Sequence, residues 1–412
     1  MIEDRTIETL HTPALVVDLD RVDANLRDLV AATAARGIEF APHAKTHRIP
    51  QLAQHQLDFG AARVTVAKLG EAEGFADAGI DRIFVAYPVV GVGVPERALA
   101  LHHRVNLRVG VDSLAGAEAL STVFATAGQR ARVLLAIDTG LGREGVAPAD
   151  AVALAAEISE LDGIELVGIF THEGHAYGAL SAADLADRAQ DAARMMVGIA
   201  HHLRAVGIQC PVVSLGSSAS VAAVIDVPGV TEVRPGIATF GDVGVLALGV
   251  HAHHRLAVRV LATVVSSPEP GRACIDAGSK SLSSDPVLAS AHRDEFAGFG
   301  LLEFSDEFSD QPSAGWRLHR LSEEHGWLQW DTAVGPPPEL PVGTRVAVIP
   351  NHVCMAFAAL GRAVVTRGGV VVDEWNGLGR ALPPDHSARA LRRERSMCPS
   401  NAHGRAPFAF SA

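Results

Sequence analysis

The sequence predicts an α/β protein that combines a (β/α)8 barrel of the TIM type with a C-terminal antiparallel β domain. Short apolar segments alternate with alanine-rich amphipathic segments from Ile38 to Arg234, and this alternation indicates parallel strands joined by right-handed helical crossovers. After about Gly244 the apolar segments follow one another without helical periodicity between them, which is typical of antiparallel sheets. A chain of 412 residues also exceeds one ordinary core, so we expect two domains.

Eight apolar segments account for the predicted barrel, in agreement with the strand number and usual length of this fold. They are residues 38–43, 63–67, 83–86, 105–111, 132–138, 165–170, 211–215 and 231–234. Between them, segments such as 148–157 and 182–205 carry apolar residues at the three- and four-residue spacing of a helix. We expect residues 20–245 to form the barrel domain.

The antiparallel domain is predicted from segments on both sides of the barrel. Residues 14–18 would form a ninth strand, so we assign them to the second domain with 258–266, 272–276, 345–350, 363–366 and 370–374. The last two segments are joined by Arg367-Gly368-Gly369, a sequence typical of a hairpin turn. We expect residues 1–19 and 246–381 to form this domain, 283–340 to be loop-rich, and 382–412 to be a disordered tail.

Composition argues against several classes of protein. The net charge of −12 argues against a nucleic-acid partner, and no apolar run reaches the roughly 18 residues that a membrane span needs. Residues 1–10 are acidic and lack a hydrophobic stretch, so they do not resemble a secretory signal. The four cysteines are far apart, without the spacing of a disulfide framework, which is typical of a reduced cytoplasmic protein.

Lys45 is the first candidate for a catalytic residue. It lies in Pro42-His43-Ala44-Lys45-Thr46-His47, where the first predicted barrel strand ends. We expect its cationic neighbours His43, His47 and Arg48 to disfavour the charged amine and lower its pKa. A lysine with a lowered pKa suits a Schiff-base nucleophile, whereas an ordinary loop lysine is merely solvated.

Polar residues accumulate at the C-terminal ends of the predicted strands, where active sites of such barrels form. They are His43 and Lys45 after the first strand, Tyr87 after the third, Asp138 and Gly140-Leu141-Gly142-Arg143 after the fifth, His172, His175 and Tyr177 after the sixth, Ser214, Ser217 and Ser218 after the seventh, and Arg234-Pro235-Gly236 after the eighth. Glycine-bearing loops after the last two strands match the usual phosphate site of this fold. A phosphate site opposite a strand-end lysine indicates pyridoxal 5'-phosphate as the cofactor.

A series of ordered motifs resembles those of one enzyme family. They are His11-Thr12-Pro13-Ala14-Leu15-Val16-Val17-Asp18-Leu19-Asp20, Pro42-His43-Ala44-Lys45-Thr46-His47, Asp138-Thr139-Gly140-Leu141-Gly142-Arg143, Gly174-His175-Ala176-Tyr177, Asp276-Ala277-Gly278-Ser279-Lys280, Ser322-Glu323-Glu324-His325-Gly326 and Pro350-Asn351-His352-Val353-Cys354. From residue 11 to about residue 381 the chain resembles the D-serine dehydratase / D-threonine aldolase family. The resemblance implies a fold-type III pyridoxal phosphate enzyme with an alanine racemase-like barrel.

The resemblance also implies a role for each matching residue. Lys45 would form the Schiff base with the cofactor, Arg143, His175 and Tyr177 would line its ring, and Ser217, Ser218, Gly236 and Ile237 would hold its phosphate. One departure lies beside that site, because this chain has Ala238 where the family commonly has tyrosine. The family further implies a homodimer in which one β domain completes the active site of the other subunit.

His352 and Cys354 are candidate metal ligands. If the chain is extended there, residues two apart point to the same side and both side chains could reach one ion. A thiolate with an imidazole favours Zn²⁺, but two ligands do not complete a tetrahedron. The resemblance implies a catalytic metal with water or substrate at the open positions.

Two reactions use such a site. In β-elimination, Lys45 removes the Cα proton of a D-3-hydroxy amino acid such as D-serine, and the metal assists the departure of hydroxide, giving a 2-keto acid and ammonia. In aldol cleavage, the metal acidifies the same hydroxyl before the Cα–Cβ bond breaks, giving glycine and an aldehyde. In its ligand pair the chain resembles the dehydratase branch, whose pattern is His-x-Cys. The aldolase branch has the pattern His-x-Asp, which suits Mn²⁺, so we favour elimination.

Two further questions concern the class of protein and its substrate. A non-enzymatic alternative is a single-domain pyridoxal phosphate barrel of the kind that catalyses no obvious reaction. Such proteins lack a β domain, whereas this chain has both that domain and the pair of His352 and Cys354. Among substrates, the sequence does not rank D-serine, D-threonine and 3-hydroxy-D-aspartate. We therefore expect an enzyme whose small-molecule substrate is a D-3-hydroxy amino acid.

Overall fold

Two β-sheets organise the chain in the computed structural model, which describes residues 6–287, 294–304 and 313–379. The strands are β1 (Ala14–Asp18), β2 (Glu39–Phe40), β3 (Val64–Val66), β4 (Arg82–Pro88), β5 (Asn106–Val111), β6 (Ala131–Ala136), β7 (Ile164–Phe170), β8 (Val212–Leu215), β9 (Glu232–Val233), β10 (Val258–Glu269), β11 (Arg272–Ile275), β12 (Gly300–Glu303), β13 (Trp316–Leu321), β14 (Gly326–Trp330), β15 (Arg345–Pro350), β16 (Arg362–Arg367) and β17 (Val370–Asn376). The α-helices are α1 (Leu19–Ala34), α2 (Pro50–Asp58), α3 (Leu69–Asp77), α4 (Val94–His102), α5 (Leu114–Thr126), α6 (Ala151–Ser159), α7 (Ala182–Ala205), α8 (Val221–Val224), α9 (Val243–Ala247), α10 (Ser279–Leu282) and α11 (Val353–Leu360).

Strands β2 to β9 form the predicted barrel. They lie side by side in the order β2-β9-β8-β7-β6-β5-β4-β3, and each neighbouring pair is parallel. The ring closes where His43 pairs with Thr65 in a parallel bridge and the Thr65 N–H donates to the Pro42 carbonyl at 2.9 Å. The (β/α)8 prediction is therefore confirmed, and the C-terminal ends of the eight strands meet at one rim.

Helix α7 shows how the sequence builds the outer layer of the barrel. Its N-cap is Ser181, whose hydroxyl accepts the Asp184 N–H at 3.1 Å. Its buried residues recur at three- and four-residue spacing and are Leu185, Ala189, Ala192, Ala193, Met196, Ile199, Ala200 and Leu203. This apolar stripe packs against β7 and β8, as the helical periodicity of residues 182–205 predicts.

The other described strands form a second sheet. Its order is β13-β14-β11-β10-β1-β16-β17, and β15 pairs with both β10 and β12. Strand β1 pairs antiparallel with β10 and so belongs to this sheet rather than to the barrel, which confirms the prediction for residues 14–18. The predicted antiparallel domain is confirmed, with one parallel pairing, that of β1 with β16. These two strands are separated by the whole barrel, so no hairpin constrains their relative direction.

Residues 283–340 contain more regular structure than expected. Strands β12, β13 and β14 lie there, and the hairpin of β13 and β14 joins the second sheet through β11. In β13 the buried Trp316 and Leu318 alternate with the exposed Arg317 and His319, which is the period of a half-buried strand. The expectation of a loop-rich segment is therefore wrong for these strands.

Some expectations about the whole chain are not decided by the fold. The predicted tail at 382–412 lies outside the described residues, and the predicted domain boundaries stay predictions. Within the described ranges, no helix combines the length and apolarity that crossing a bilayer requires.

Candidate active site

A cavity of about 320 Å³ opens at the barrel rim, where the strand ends meet. Seven of the eight predicted cofactor-binding residues line it, namely Lys45, Arg143, Tyr177, Ser217, Ser218, Gly236 and Ile237. The candidate metal ligands His352, at the N-cap of α11, and Cys354, in the first turn of α11, line the same cavity. The barrel and the second sheet thus both contribute side chains to one site.

Lys45 lies in a 3₁₀ turn, Ala44–Thr46, that follows the barrel strand β2. Its backbone N–H donates to Nδ1 of His43 at 3.4 Å, which holds the turn at the rim. Burial lowers the pKa of Lys45, the nearby Cys354 partly opposes this effect, and Arg143 lowers the pKa further. The predicted direction is confirmed, but the predicted cause is wrong, because burial dominates and Arg143 is the leading cation.

The side chains of His47 and Arg48 contact other groups and not the Lys45 amine. Nε of Arg48 lies 2.9 Å from the Glu71 carboxylate, which balances its charge. His47 is 2% exposed, accepts the Ile49 N–H at Nδ1, and packs edge-on against Phe240 with 5.5 Å between ring centroids. Burial lowers the pKa of His47 to about 3, so the ring is neutral near pH 7.

We expect His47 to make the free energy of unfolding fall in acid. Its folded pKa of about 3 lies below the 6.5 of an exposed histidine, so the unfolded chain binds the proton first as pH falls. Between pH 7 and pH 5 this linkage costs about 2 kcal/mol. Urea unfolding at both pH values should show a loss that is about 2 kcal/mol larger in the wild type than in His47→Asn, which keeps an acceptor for the Ile49 N–H. An equal loss in both proteins would assign the acid sensitivity to other groups.

The phosphate cradle predicted from the sequence corresponds to the loops after β8 and β9, which both line the cavity. Within the described residues, no group accepts a hydrogen bond from the N–H of Ser218, Gly236 or Ile237, so these three donors remain available. The Ser218 hydroxyl accepts the Ala238 N–H at 2.9 Å, which ties the two loops together. Backbone donors without acceptors, placed along a cavity, fit an anion such as phosphate.

Gly236 allows this cradle to approach the turn of Lys45. A Cβ at position 236 would lie 2.5 Å from Oγ1 of Thr46 and 2.8 Å from the carbonyl oxygen of His43. Because Cβ atoms do not approach other atoms so closely, the loop packs on the turn with glycine and not with a larger residue. The lysine and the phosphate cradle are therefore held side by side.

Glu173 supports the loop after β8, and the sequence analysis missed it. Its fully buried carboxylate accepts the N–H groups of Gly216 at 3.2 Å and Ser217 at 2.5 Å, and also the Ser220 hydroxyl. Burial raises the pKa of this carboxyl, but His172 and the hydrogen-bond donors outweigh burial, and the net pKa is lowered. The available clue was its position directly after His172 at the end of a barrel strand.

Arg143 and Tyr177 reach the cavity from the loops after β6 and β7. The Asp138 carboxylate accepts the N–H groups of Gly140 at 2.9 Å and Gly142 at 3.0 Å, which closes the turn that presents Arg143. The guanidinium of Arg143 bonds to the carboxylate of the adjacent Glu144, which raises its pKa. Burial raises the pKa of Tyr177, so its phenol stays protonated near neutral pH.

His175 and Tyr87 lie differently from the other candidates. His175 does not line the cavity, and a Cβ on Gly140 would lie 3.6 Å from its ring. Its Nδ1 is buried and has no hydrogen-bond partner among the described residues, and its predicted contact with the cofactor stays a prediction. Tyr87 lines an outer cavity of about 570 Å³ that also includes Lys45, and Nζ of Lys68 lies 3.3 Å from its ring centroid.

Arg234 is a buried cation that lines the cavity. It is 7% exposed and donates to the Ser214 hydroxyl and, at 2.5 Å, to the Thr171 carbonyl. Its guanidinium lies 5.7 Å from the ring centroid of Phe84 and 5.4 Å from that of Phe170. A positive group held in this way fits a cavity that receives an anionic cofactor.

His352 and Cys354 lie at the start of α11. His352 is the N-cap and Cys354 belongs to the first helical turn, so the extended geometry expected from their spacing is wrong. Both side chains nevertheless line the cavity, and Sγ of Cys354 lies 3.5 Å from Oγ1 of Thr46. In the described ranges no three His, Cys, Asp or Glu residues converge on a metal position, so a metal here would keep open positions.

The imidazole of His352 has a second anionic partner. Its Nδ1 lies 2.9 Å from Oδ2 of Asp285, a residue that no sequence motif marked. Burial lowers the pKa of His352, but Cys354 and Asp285 outweigh burial and raise it to about 9. An imidazole and a thiol side by side, with anionic support, form a donor set that fits zinc.

Comparisons with known proteins find relatives that span both sheets. Residues 17–243 match the alanine racemase N-terminal domain family, and residues 257–366 match the putative serine dehydratase domain family. The D-threo-3-hydroxyaspartate dehydratase of Delftia sp. (strain HT23) is 35% identical over 364 residues, which cover 86% of this chain and 93% of that protein. The D-threonine aldolase of Arthrobacter sp. is 30% identical over 372 residues, which cover 89% and 92%.

A solved structure is similar over most of the chain. It is a cysteine-to-alanine variant of D-threo-3-hydroxyaspartate dehydratase in the metal-free form, with a TM-score of 0.83 and 33% identity. The match covers 91% of this chain and 100% of that chain. By these domain matches and relatives, the chain belongs to the D-serine dehydratase / D-threonine aldolase family of pyridoxal phosphate-dependent lyases with an alanine racemase-like barrel.

Proposed function

We propose that this lyase eliminates water from a D-3-hydroxy amino acid such as D-serine, with pyridoxal 5'-phosphate and zinc, and forms a 2-keto acid and ammonia. The observation that carries the proposal is the position of His352 and Cys354 against the turn of Lys45, with 3.5 Å between Sγ of Cys354 and Oγ1 of Thr46. A proton acceptor and a metal-binding pair therefore face one cavity. Loss of the Cα proton and the β-hydroxide removes one water from the substrate. The released enamine becomes an imine, whose hydrolysis consumes one water, so the net products of D-serine are pyruvate and ammonia.

Lys45 is the group that accepts the Cα proton at Nζ. This step needs a neutral amine, and the lowered pKa that burial and Arg143 cause favours the neutral form. When bound, pyridoxal phosphate supplies an electron sink for the Cα carbanion and zinc makes the β-hydroxyl a better leaving group. The chain itself orients the substrate between Lys45 and the pair of His352 and Cys354, so that both bonds can break in one geometry.

The cavity residues suit the cofactor as well as the substrate. The unpaired N–H groups of Ser218, Gly236 and Ile237, with the hydroxyl of Ser217, would hold the phosphate. Arg143 and Tyr177 would line the ring, whereas a role for His175 has the family resemblance alone in its favour. The homodimer also stays a prediction of the family resemblance.

The metal-binding pair favours elimination over aldol cleavage. A thiolate with an imidazole prefers Zn²⁺, whereas the carboxylate of the aldolase pattern suits Mn²⁺. The relative with 35% identity is named a dehydratase, which supports elimination. Aldol cleavage is the alternative, since a relative with 30% identity is named D-threonine aldolase.

Product analysis tests the proposed reaction. The zinc-loaded holoenzyme is incubated separately with D-serine, D-threonine and threo-3-hydroxy-D-aspartate, with L-serine as the stereochemical control. We expect keto acid and ammonia in equal amounts from at least one D-substrate and none from L-serine. Glycine and an aldehyde, without keto acid, would contradict elimination and establish the aldolase alternative.

A further inference from the structure

Asp285 contacts a candidate metal ligand directly, but the proposed reaction does not yet use it. Its Oδ2 lies 2.9 Å from Nδ1 of His352, and the two residues are 67 positions apart in the chain. Asp285 follows the short helix α10, whereas His352 precedes α11. The fold rather than the local sequence therefore brings this carboxylate to the imidazole.

Hydrogen bonds hold the main chain of Asp285 beside His352. The Asp285 N–H donates to Oγ of Ser283 at 3.0 Å, and the Asp285 carbonyl accepts from Nδ2 of Asn351 at 3.1 Å. Asn351 is the immediate neighbour of His352 and also donates to the Gly298 carbonyl at 2.8 Å. A loop with both main-chain groups hydrogen-bonded therefore presents the carboxylate to the imidazole.

The contact determines which nitrogen of His352 can bind a metal. An aspartate carboxylate accepts hydrogen bonds, so the contact with Asp285 places a proton on Nδ1 of the neutral ring. The lone pair is then on Nε2, which becomes the nitrogen available to an ion. Cys354, which lines the cavity with His352, supplies the second donor.

Asp285 acts through His352 rather than as a ligand of its own. No set of three His, Cys, Asp or Glu side chains in the described part of the chain converges on a metal position, so Asp285 does not join His352 and Cys354 around an ion. Asp285 also lies outside the lining of the cavity. Its influence on a metal would come from the orientation and basicity of the imidazole.

We propose that Asp285 is a positioning residue of the metal site, which holds His352 as the Nδ1–H tautomer with Nε2 available to the metal. This inference rests on the proposed function, because it takes His352 and Cys354 as the metal-binding pair. It adds a residue that neither the ligand spacing nor the strand-end pattern indicates. It also explains why an imidazole at a helix N-cap has a defined orientation.

Zinc affinity of the holoenzyme tests this role. Dissociation constants of the wild type, Asp285→Ala and Asp285→Asn are measured by competition with a chromophoric chelator. We expect Asp285→Ala to bind zinc about 10- to 100-fold more weakly. Asp285→Asn keeps an acceptor oxygen without the charge, so its affinity should lie between those of the other two. The matched control is Asp331→Ala. Asp331 does not line the cavity, and its carboxylate accepts the Ala333 N–H at 3.0 Å.

The outcomes separate this inference from the proposed reaction. Zinc affinity equal to that of the wild type in Asp285→Ala would overturn the role of Asp285, and so would equal weakening in Asp331→Ala, since it would indicate a general effect on folding. Glycine and an aldehyde as the products of the zinc-loaded wild type would overturn elimination and leave the role of Asp285 standing. A wild type that binds no zinc would overturn both.

Discussion

Lys45→Ala is expected to lose both turnover and the covalent attachment of pyridoxal phosphate. Nζ of Lys45 is the proposed nucleophile toward the cofactor aldehyde and the proposed base for the Cα proton, so we expect kcat to fall by about 10³-fold or more. Borohydride reduction of the wild type followed by peptide mapping should place the pyridoxyl label on Lys45. The variant should still bind the cofactor without a covalent bond, because the N–H groups of Gly236 and Ile237 remain.

Lys68→Ala is the control for this prediction. Lys68 lines the outer cavity together with Lys45, and its Nζ lies 3.3 Å from the ring centroid of Tyr87. We expect this variant to keep the label on Lys45 and to keep its cofactor. A label on Lys68 or on the exposed Lys280 in the wild type would show that Lys45 is not the attachment point.

The barrel was predictable because its pattern is local and repeats along the chain. Each unit has a short buried strand, such as β3 with its three buried residues, followed by a helix whose apolar stripe must be covered. Counting eight such units also assigned Val16 and its neighbours correctly, since a ninth strand has no place in a closed ring. The hairpin of β13 and β14 escaped prediction because charged and aromatic residues mask its alternation, as with Arg317 beside Trp316.

Most of the predicted site residues line one cavity, but the local geometry of the metal-binding pair was not predictable. The spacing of His352 and Cys354 was interpreted as a strand, whereas α11 begins between them. Residues 353–360 are almost entirely apolar and lack strict alternation, and Gly361 ends the helix in the left-handed conformation at φ 67°. Helix geometry still brings both side chains to the cavity, so both remain candidate ligands of one metal.

Two carboxylates with partners far away in the sequence were the largest omission of the sequence analysis. Glu173 and Asp285 act on the phosphate cradle and on His352 through contacts made by the folded chain. No spacing rule indicates such partners, because the acceptor and donor lie tens of residues apart. For the same reason the pKa of Lys45 was assigned to its sequence neighbours, although burial, which the sequence does not display, has the larger effect.

Cys354→Ala is expected to strip the metal from the enzyme while leaving the cofactor attached. The variant keeps one imidazole, that of His352, and loses the thiolate that zinc prefers. If the metal contributes several kcal/mol to departure of the hydroxide, formation of keto acid should fall by about 10³-fold. The measurements are zinc content after dialysis, keto acid formation, and the absorption spectrum of the bound cofactor, which should match that of the wild type.

Cys274→Ala is the matched control, because Cys274 is a partly buried thiol of the second sheet outside the cavity lining. It should keep wild-type zinc content and turnover.

Cys354 also raises the pKa of Lys45, so in the cofactor-free protein its removal should lower that pKa further, which titration of amine labelling would detect. Full zinc content and turnover in Cys354→Ala would instead make Cys354 a packing residue of α11. Loss of zinc and turnover with an unchanged cofactor spectrum would assign the metal to the β-hydroxyl, since the lysine side of the reaction would be intact.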